Sequence, residues 1–267
     1  MGERAERSEA GELQPKARRA DMKEGAERSE AGEPQPKARR AETKDNPSGA
    51  RDMTDNDGAP VFTQVVSTLE ELRGLMGEPS ELALRKDIGR LDEHCRNFIA
   101  RSPFLLVATS DRSGRCDVSP KGDAPGFVQV LDDRHLVIPD RPGNKRFDGI
   151  RNLLENPGIG LLFLLPRSEE TLRVNGRAQI VRDPDVLGRF AVQGKLPVLE
   201  IAVEVQESFL HCAKCVKRSG LWDASSWPDL NGLASPAQMF LDHAKPRDMT
   251  VEALDRRLQD GYRTNLY

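Results

Sequence analysis

The sequence predicts a mainly β protein whose short antiparallel strands close, or nearly close, into a barrel flanked by helices at both ends. Three observations carry that expectation. Between Pro103 and Gln206, apolar residues recur either as short strand-forming runs or in strict alternation with polar ones. Turn-forming residues separate these segments at hairpin spacing, and a single long helical stripe interrupts them. Helices do not alternate with strands and no GxGxxG motif follows one, so a parallel nucleotide-binding sheet does not fit.

The chain of 267 residues divides by composition into four stretches. Residues 1–58 form a tail built on a direct repeat of period 21, residues 3–23 and 24–44, which differ only at Arg4/Gly25, Leu13/Pro34, Asp21/Glu42 and Met22/Thr43. Two copies are too few for a solenoid. Met1 to Asp52 holds no Ile, Val, Phe, Tyr or Trp, and its 12 Lys and Arg balance 12 Asp and Glu. Such a stretch buries too little surface to offset its ordering entropy, so it is expected to be disordered. Its mixed signs also argue against a basic arm for nucleic acid.

Residues 59–100 read as a helical lead-in that packs onto the following domain. Amphipathic pieces run between Thr68 and His94, with a break at Gly77-Glu78-Pro79 and a second helix beginning at Pro79-Ser80-Glu81. Residues 101–207 are the barrel. Phe104 to Ala108 is apolar on both faces, which predicts a strand buried on both sides. Asp111 to Gly114 turns the chain into a strand at Cys116 to Ser119. Phe127 to Leu131 and His135 to Ile138 make a hairpin, and Ile159 to Leu165 follows as an apolar strand. From Thr171 to Arg182, Leu172, Val174, Ala178 and Ile180 alternate with Arg173, Asn175, Arg177 and Gln179. Leu199, Ile201, Val203 and Val205 alternate with Glu200, Glu204 and Gln206, which places those three on a polar face. Residues 208–267 form a C-terminal helical segment, with one helix near Pro236 to Ala244 and another from Thr250, the cap, to Gln259, Leu254 and Leu258 facing inward.

Composition limits function. A net charge of −3 gives no global pull toward nucleic acid or an anionic membrane. The longest apolar run is a strand's length, the N-terminal stretch lacks a signal-like apolar segment, and four cysteines do not make a disulfide framework; a reduced cytoplasmic protein is expected.

The stretch with the clearest chemistry is His135 to Pro157, HLVIPDRPGNKRFDGIRNLLENP. A strand runs into a turn at Pro139, Pro142 and Gly143, Asn144 stands where a helix N-cap belongs, and Phe147, Ile150, Leu153 and Leu154 form one apolar helical stripe. Arg141, Lys145 and Arg146 surround that turn. A helix N-terminus presents unpaired N–H groups and a positive dipole end, and guanidinium and ammonium donors reinforce its preference for an anion. The expectation is a phosphate site.

The order of motifs, a buried strand, DVSPKGD, LVIPDRPGNKRFDGIRNLLENP, an apolar strand and TLRVNGRA, resembles the pyridoxamine 5′-phosphate oxidase-like FMN-binding split barrels. The ending FLHCAK…KRSxLW is similar to a subgroup of that family without a settled substrate. The resemblance spans roughly Arg101 to Trp222. It implies a six-stranded antiparallel split barrel of Greek-key type and a homodimer with FMN at the subunit interface. It further implies that Arg141, Asn144, Lys145 and Arg146 contact the FMN phosphate and that Ser119 and Lys121 face the ring or ribityl chain. Arg173 and Asn175 would reach the cofactor of either subunit, and Lys217, Arg218 and Trp222 would close the site. The implied activity is transfer of hydride or electrons to a small molecule, and the alternatives are a flavin carrier or sensor, or a barrel for deazaflavin or haem. Gly143-Asn144-Lys145 stands where pyridoxamine oxidases have Ser-Arg-Lys, and their C-terminal Arg-x-His motif is missing, so the resemblance extends to flavin binding and not to pyridoxamine phosphate oxidation.

Two further features have plainer readings. His211-Cys212-x-x-Cys215 lacks the second close pair that a structural zinc site uses, so core thiols and no metal are expected. Asp117 and Asp123 fit acid–base roles, but turn and strand-edge aspartates are ordinarily solvated.

Overall fold

The structure is a computed structural model and describes residues 62–267. Chain contacts separate two units, Met1–Val66 and Ser67–Tyr267, and every element below belongs to the second. The repeat tail lies outside the described residues.

Three helices come first: α1 (Leu69–Met76), α2 (Glu81–Arg85) and α3 (Glu93–Ile99). Each is capped by the side chain that precedes it. Thr68, Ser80 and Asp92 accept from the backbone N–H three residues on, at 3.1, 3.2 and 2.8 Å. The expected packing of the lead-in holds only for α3, which buries Cys95 and Ile99; α1 and α2 bury no residue.

Seven strands follow rather than six: β1 (Phe104–Ser110), β2 (Cys116–Gly122), β3 (Gln129–Val130), β4 (His135–Pro139), β5 (Gly158–Leu164), β6 (Thr171–Val181) and β7 (Glu200–His211). The extra one, β3, is a two-residue pairing with β4. All neighbours are antiparallel in the order β2-β1-β5-β6-β7-β4-β3, so the fold is mainly β with flanking helices. The edges β2 and β3 make no pairing with each other, which leaves the sheet open along one side.

One face of every long strand is buried. Leu105, Val107, Leu161, Phe163, Val174, Ile201 and Val203 meet in one core, with α3 closing it. The face opposite is open on β1: Phe104 is 38% exposed, so double-sided burial is wrong for that strand. Between Leu199 and Gln206 the alternation fails at Glu200, which is 0% exposed although the pattern puts it on the polar face. The register of β6 on β7 shifts at Asn175/Gly176, where Asn175 faces Glu207 and Gly176 faces Val205, a bulge that leaves Gln206 unpaired with β6. Gly176 is required there, because a Cβ would stand 2.0 Å from the Glu204 carbonyl oxygen.

Helix α4 (Asp148–Glu155) crosses between β4 and β5 and packs over β1 through buried Leu153 and Asn152, whose amide donates to Thr109 Oγ1 at 3.0 Å. A short helix α5 (Pro184–Leu187) precedes β7. Helices α6 (Lys214–Ser219), α7 (Pro236–Ala244) and α8 (Val251–Thr264) complete the chain. Thr250 caps α8 and Leu254 is buried as expected, though the helix runs past Gln259.

Candidate cofactor site

The gap beside edge strand β2 is where the site forms. A cavity of about 740 Å³ opens between β2 and the segment leaving β4, within the range of ligand pockets. Asp117 to Gly122 form one wall, Pro139 to Phe147 and the first turn of α4 form the other, and Val107, Phe127, Ile150 and Ile201 supply apolar surface. Leu266 and Tyr267 also line it.

The expected N-cap is misplaced. Helix α4 starts four residues after Asn144, at Asp148, and its cap position is Phe147, which has a left-handed φ of 58° and gives no side-chain cap. Asn144 instead accepts from the Arg146 N–H at 3.0 Å, an Asx turn inside the loop. Lys145 is left-handed too, φ 62°. Two non-glycine residues in that region cost on the order of 1–2 kcal/mol each and cluster at ligand clamps. The conformation brings the uncapped first turn of α4 to the mouth of the pocket, beside Asp117, Ser119 and Thr109, whose side-chain oxygens would each stand 3.6 Å from a Cβ added at Gly149. Phe147 and Leu154 of the expected apolar stripe are exposed, while Leu153 is buried.

The charges sort into two groups. On the inner wall each cation is paired: Lys121 with Asp140, and Arg141 Nε with Asp123 Oδ2 at 2.8 Å. Arg141 also donates to the Phe190 carbonyl at 2.9 Å. At the lip, Arg146 pairs with Asp148 at 2.7 Å, and Lys145 makes no ion pair among the described residues. Burial pushes the Asp123 carboxyl up, but hydrogen bonds from Tyr267, the Ala124 N–H and Arg141 together outweigh it and hold it below the usual carboxylate range. The Arg146 guanidinium likewise holds Asp148 down. Ser119 donates to Asp117 Oδ2 at 2.8 Å.

Ser119, Lys121, Arg141, Asn144, Lys145 and Arg146 therefore share one pocket. The other five expected residues sit elsewhere in the chain. Arg173 stacks 5.4 Å from the Phe209 ring centroid and Asn175 donates to Glu207 at 2.7 Å. Lys217 pairs with Glu169, the Trp222 indole donates to the Ser168 carbonyl at 2.7 Å, and Arg218 is exposed. None of these five lines the cavity. Sequence reasoning missed Asp140 and Asp148, and it missed Tyr267 altogether. The two aspartates had a signal, since each stands next to or near a basic residue in the turn. Tyr267 had none. Among the described residues no three His, Cys, Asp or Glu are grouped to hold a metal ion, and no helix is long and apolar enough to cross a membrane.

Residues 91–212 match the family model for pyridoxamine 5′-phosphate oxidase, a span that holds all seven strands and the whole turn between β4 and α4. Over that span the chain is similar to the pyridoxamine 5′-phosphate oxidase family that the order of its motifs resembles. No curated protein matches the chain. Among solved structures it is similar to HupZ of Group A Streptococcus, 18% identical over 45% of this chain and 92% of that one, with a TM-score of 0.36. An FMN-binding protein of Syntrophomonas wolfei is 15% identical over 44% of this chain and 83% of that one, TM-score 0.35. HutZ, a haem storage protein of Vibrio cholerae, is 20% identical over 46% of this chain and 94% of that one, TM-score 0.31. The likeness to the family rests on the family model and not on these structures.

Proposed function

We propose that the chain is an FMN-binding flavoprotein that acts as a dimer and passes hydride or electrons to a small molecule. The observation that supports this most is the lip of the pocket: a Lys145 ammonium with no ion pair among the described residues, beside the uncapped first turn of an eight-residue helix, at a cavity of about 740 Å³ to which Val107, Phe127, Ile150 and Ile201 give apolar surface. That combination fits a ligand with an anionic end and a flat, largely apolar body. Lys145, Arg146 and the N–H groups of α4 would hold the phosphate. Asn144 shapes the turn, Arg141 braces the inner wall through Asp123, and Ser119 and Lys121 lie along β2 toward the ring. When bound, FMN supplies the redox chemistry.

A second reading, a flavin carrier or sensor without turnover, is favoured by one observation. Each carboxylate of the pocket is already engaged: Asp117 by Ser119, Asp123 by Arg141 and Tyr267, Asp140 by Lys121, Asp148 by Arg146. No free acid–base pair remains for a substrate. Haem is less well served, because among the described residues no histidine, cysteine or methionine lines the cavity.

The test is titration of the apoprotein with FMN and with riboflavin, which lacks the phosphate. FMN is expected to bind more tightly, and Lys145→Ala to weaken FMN about 10- to 100-fold while leaving riboflavin unchanged, the loss of one charge-assisted hydrogen bond. A protein that takes up neither flavin contradicts the proposal. Reduction of bound FMN by NADH or NADPH, with transfer to an acceptor, separates the oxidoreductase from the carrier.

A further inference from the structure

Tyr267 stands 144 residues along the chain from Asp123 and outside the segment that the family model covers, yet it lines the pocket. Its hydroxyl donates to Asp123 Oδ1 at 2.8 Å, while Arg141 Nε donates to Asp123 Oδ2 at 2.8 Å. The Asp123 side chain is 4% exposed, so these groups and the Ala124 N–H, at 2.7 Å, stand where water would otherwise be. Two more contacts fix the tyrosine. The Arg141 guanidinium lies 5.3 Å from its ring centroid, and Lys195 Nζ donates to its backbone oxygen at 2.8 Å.

This arrangement gives the phenol one polarity. A hydroxyl has one hydrogen and two acceptor lone pairs. An ionised carboxylate only accepts, so Asp123 claims the hydrogen and leaves only lone pairs for anything else in the pocket. The hydrogen bond to Asp123 also pushes the phenol's own ionisation up, so that the hydrogen stays in place at neutral pH. The pocket then holds two unlike groups: the cationic, donating Lys145 and an accepting oxygen at Tyr267.

We propose that Tyr267 is a ligand-selecting residue of this pocket, whose phenolic oxygen accepts a hydrogen bond from the ring N–H of the cofactor while Asp123 and Arg141 orient it. The proposal rests on the FMN reading. The oxidised flavin ring carries a single N–H, in its imide, and its remaining ring heteroatoms are acceptors; a phenol free to rotate would not distinguish the two. Sites built to meet a ligand N–H reject analogues that lack it, because the site's own polar atom is left unpaired.

The experiment is a fluorescence titration of the full chain with FMN and with FMN methylated at the imide nitrogen. Wild type is expected to favour FMN about tenfold, one hydrogen bond's worth of discrimination. Tyr267→Phe keeps the ring and its contact with Arg141 but takes one donor from Asp123, so it should melt somewhat lower yet stay folded, bind FMN about tenfold more weakly, and lose the discrimination. Asp123→Ala removes the acceptor, so it keeps the tyrosine but frees its hydrogen, and should also narrow the gap. If wild type binds FMN but Tyr267→Phe discriminates as well as wild type, the tyrosine proposal falls and the FMN reading stands. If wild type binds neither flavin, both fall together.

Discussion

Glu200 is the residue whose environment departs furthest from its chemistry. It pairs across the sheet with Pro139 and Val181, is 0% exposed, and neither carboxylate oxygen has a hydrogen-bond partner among the described residues. Burial, with the charge of Asp183 adding to it, raises its pKa. The sign follows. A carboxyl that is harder to ionise when folded contributes its full stability below its unfolded value, about 4.3, and loses it as pH rises through the folded value. Glu200→Met is therefore expected to stabilise the protein at pH 8 by roughly 1–3 kcal/mol, the cost of a buried unpaired polar group, and by much less at pH 4. Urea unfolding at the two pH values checks this, and a variant less stable than wild type at pH 8 contradicts it. Alternation alone put Glu200 on an outward face; what the pattern cannot show is that folding leaves it 0% exposed there. Tyr267 failed to show itself for the same reason, since its partner Asp123 is fixed only by folding.

At the scale of elements, local chemistry was legible wherever the signal lay within a few residues. Ser80 and Thr250 cap the helices that the sequence assigns to them, α7 has its expected bounds, and β6 buries Leu172, Val174 and Ala178 as its alternation requires. The start of α4 was not legible. Asn144 is a good cap, but Lys145 and Phe147 take left-handed conformations that no propensity favours, and the helix is delayed to Asp148. The β6–β7 pairing likewise depends on a close approach that the sequence marks only by a glycine. Gly176→Ala would drive a methyl into the Glu204 carbonyl, so backbone must move in the largest interface of the sheet. A loss of about 1–3 kcal/mol is expected, against a change within about 0.5 kcal/mol for Gly143→Ala, where a Cβ meets nothing within 4 Å. Equal melting temperatures for the two variants would show that the bulge can relax.

For the molecule as a whole, the sequence carried the antiparallel class but not the order of strands, because the β1–β5 and β4–β7 pairings join segments separated by intervening strands and α4. It also carried eleven site residues, of which six gather in one pocket and five, Arg173, Asn175, Lys217, Arg218 and Trp222, stand apart from it. The division has a use if two chains share each site. Phe104 and Val118 on the outer faces of β1 and β2 are 38% and 59% exposed in the single chain, the kind of surface that a second copy covers. The five outlying residues would then complete the partner's pocket, and complementation tests that directly. Lys145→Ala damages the pocket of its own chain, whereas Arg173→Ala would damage the pocket of the other. Each variant alone is expected to bind FMN weakly at every site. In a mixed dimer both defects fall on one site and the other is intact, so mixing the two apoproteins under conditions that exchange subunits should restore about one tight site per mixed dimer. Tight binding that stays absent after exchange, with mixed dimers demonstrated by mass, would mean that Arg173 serves its own chain or none.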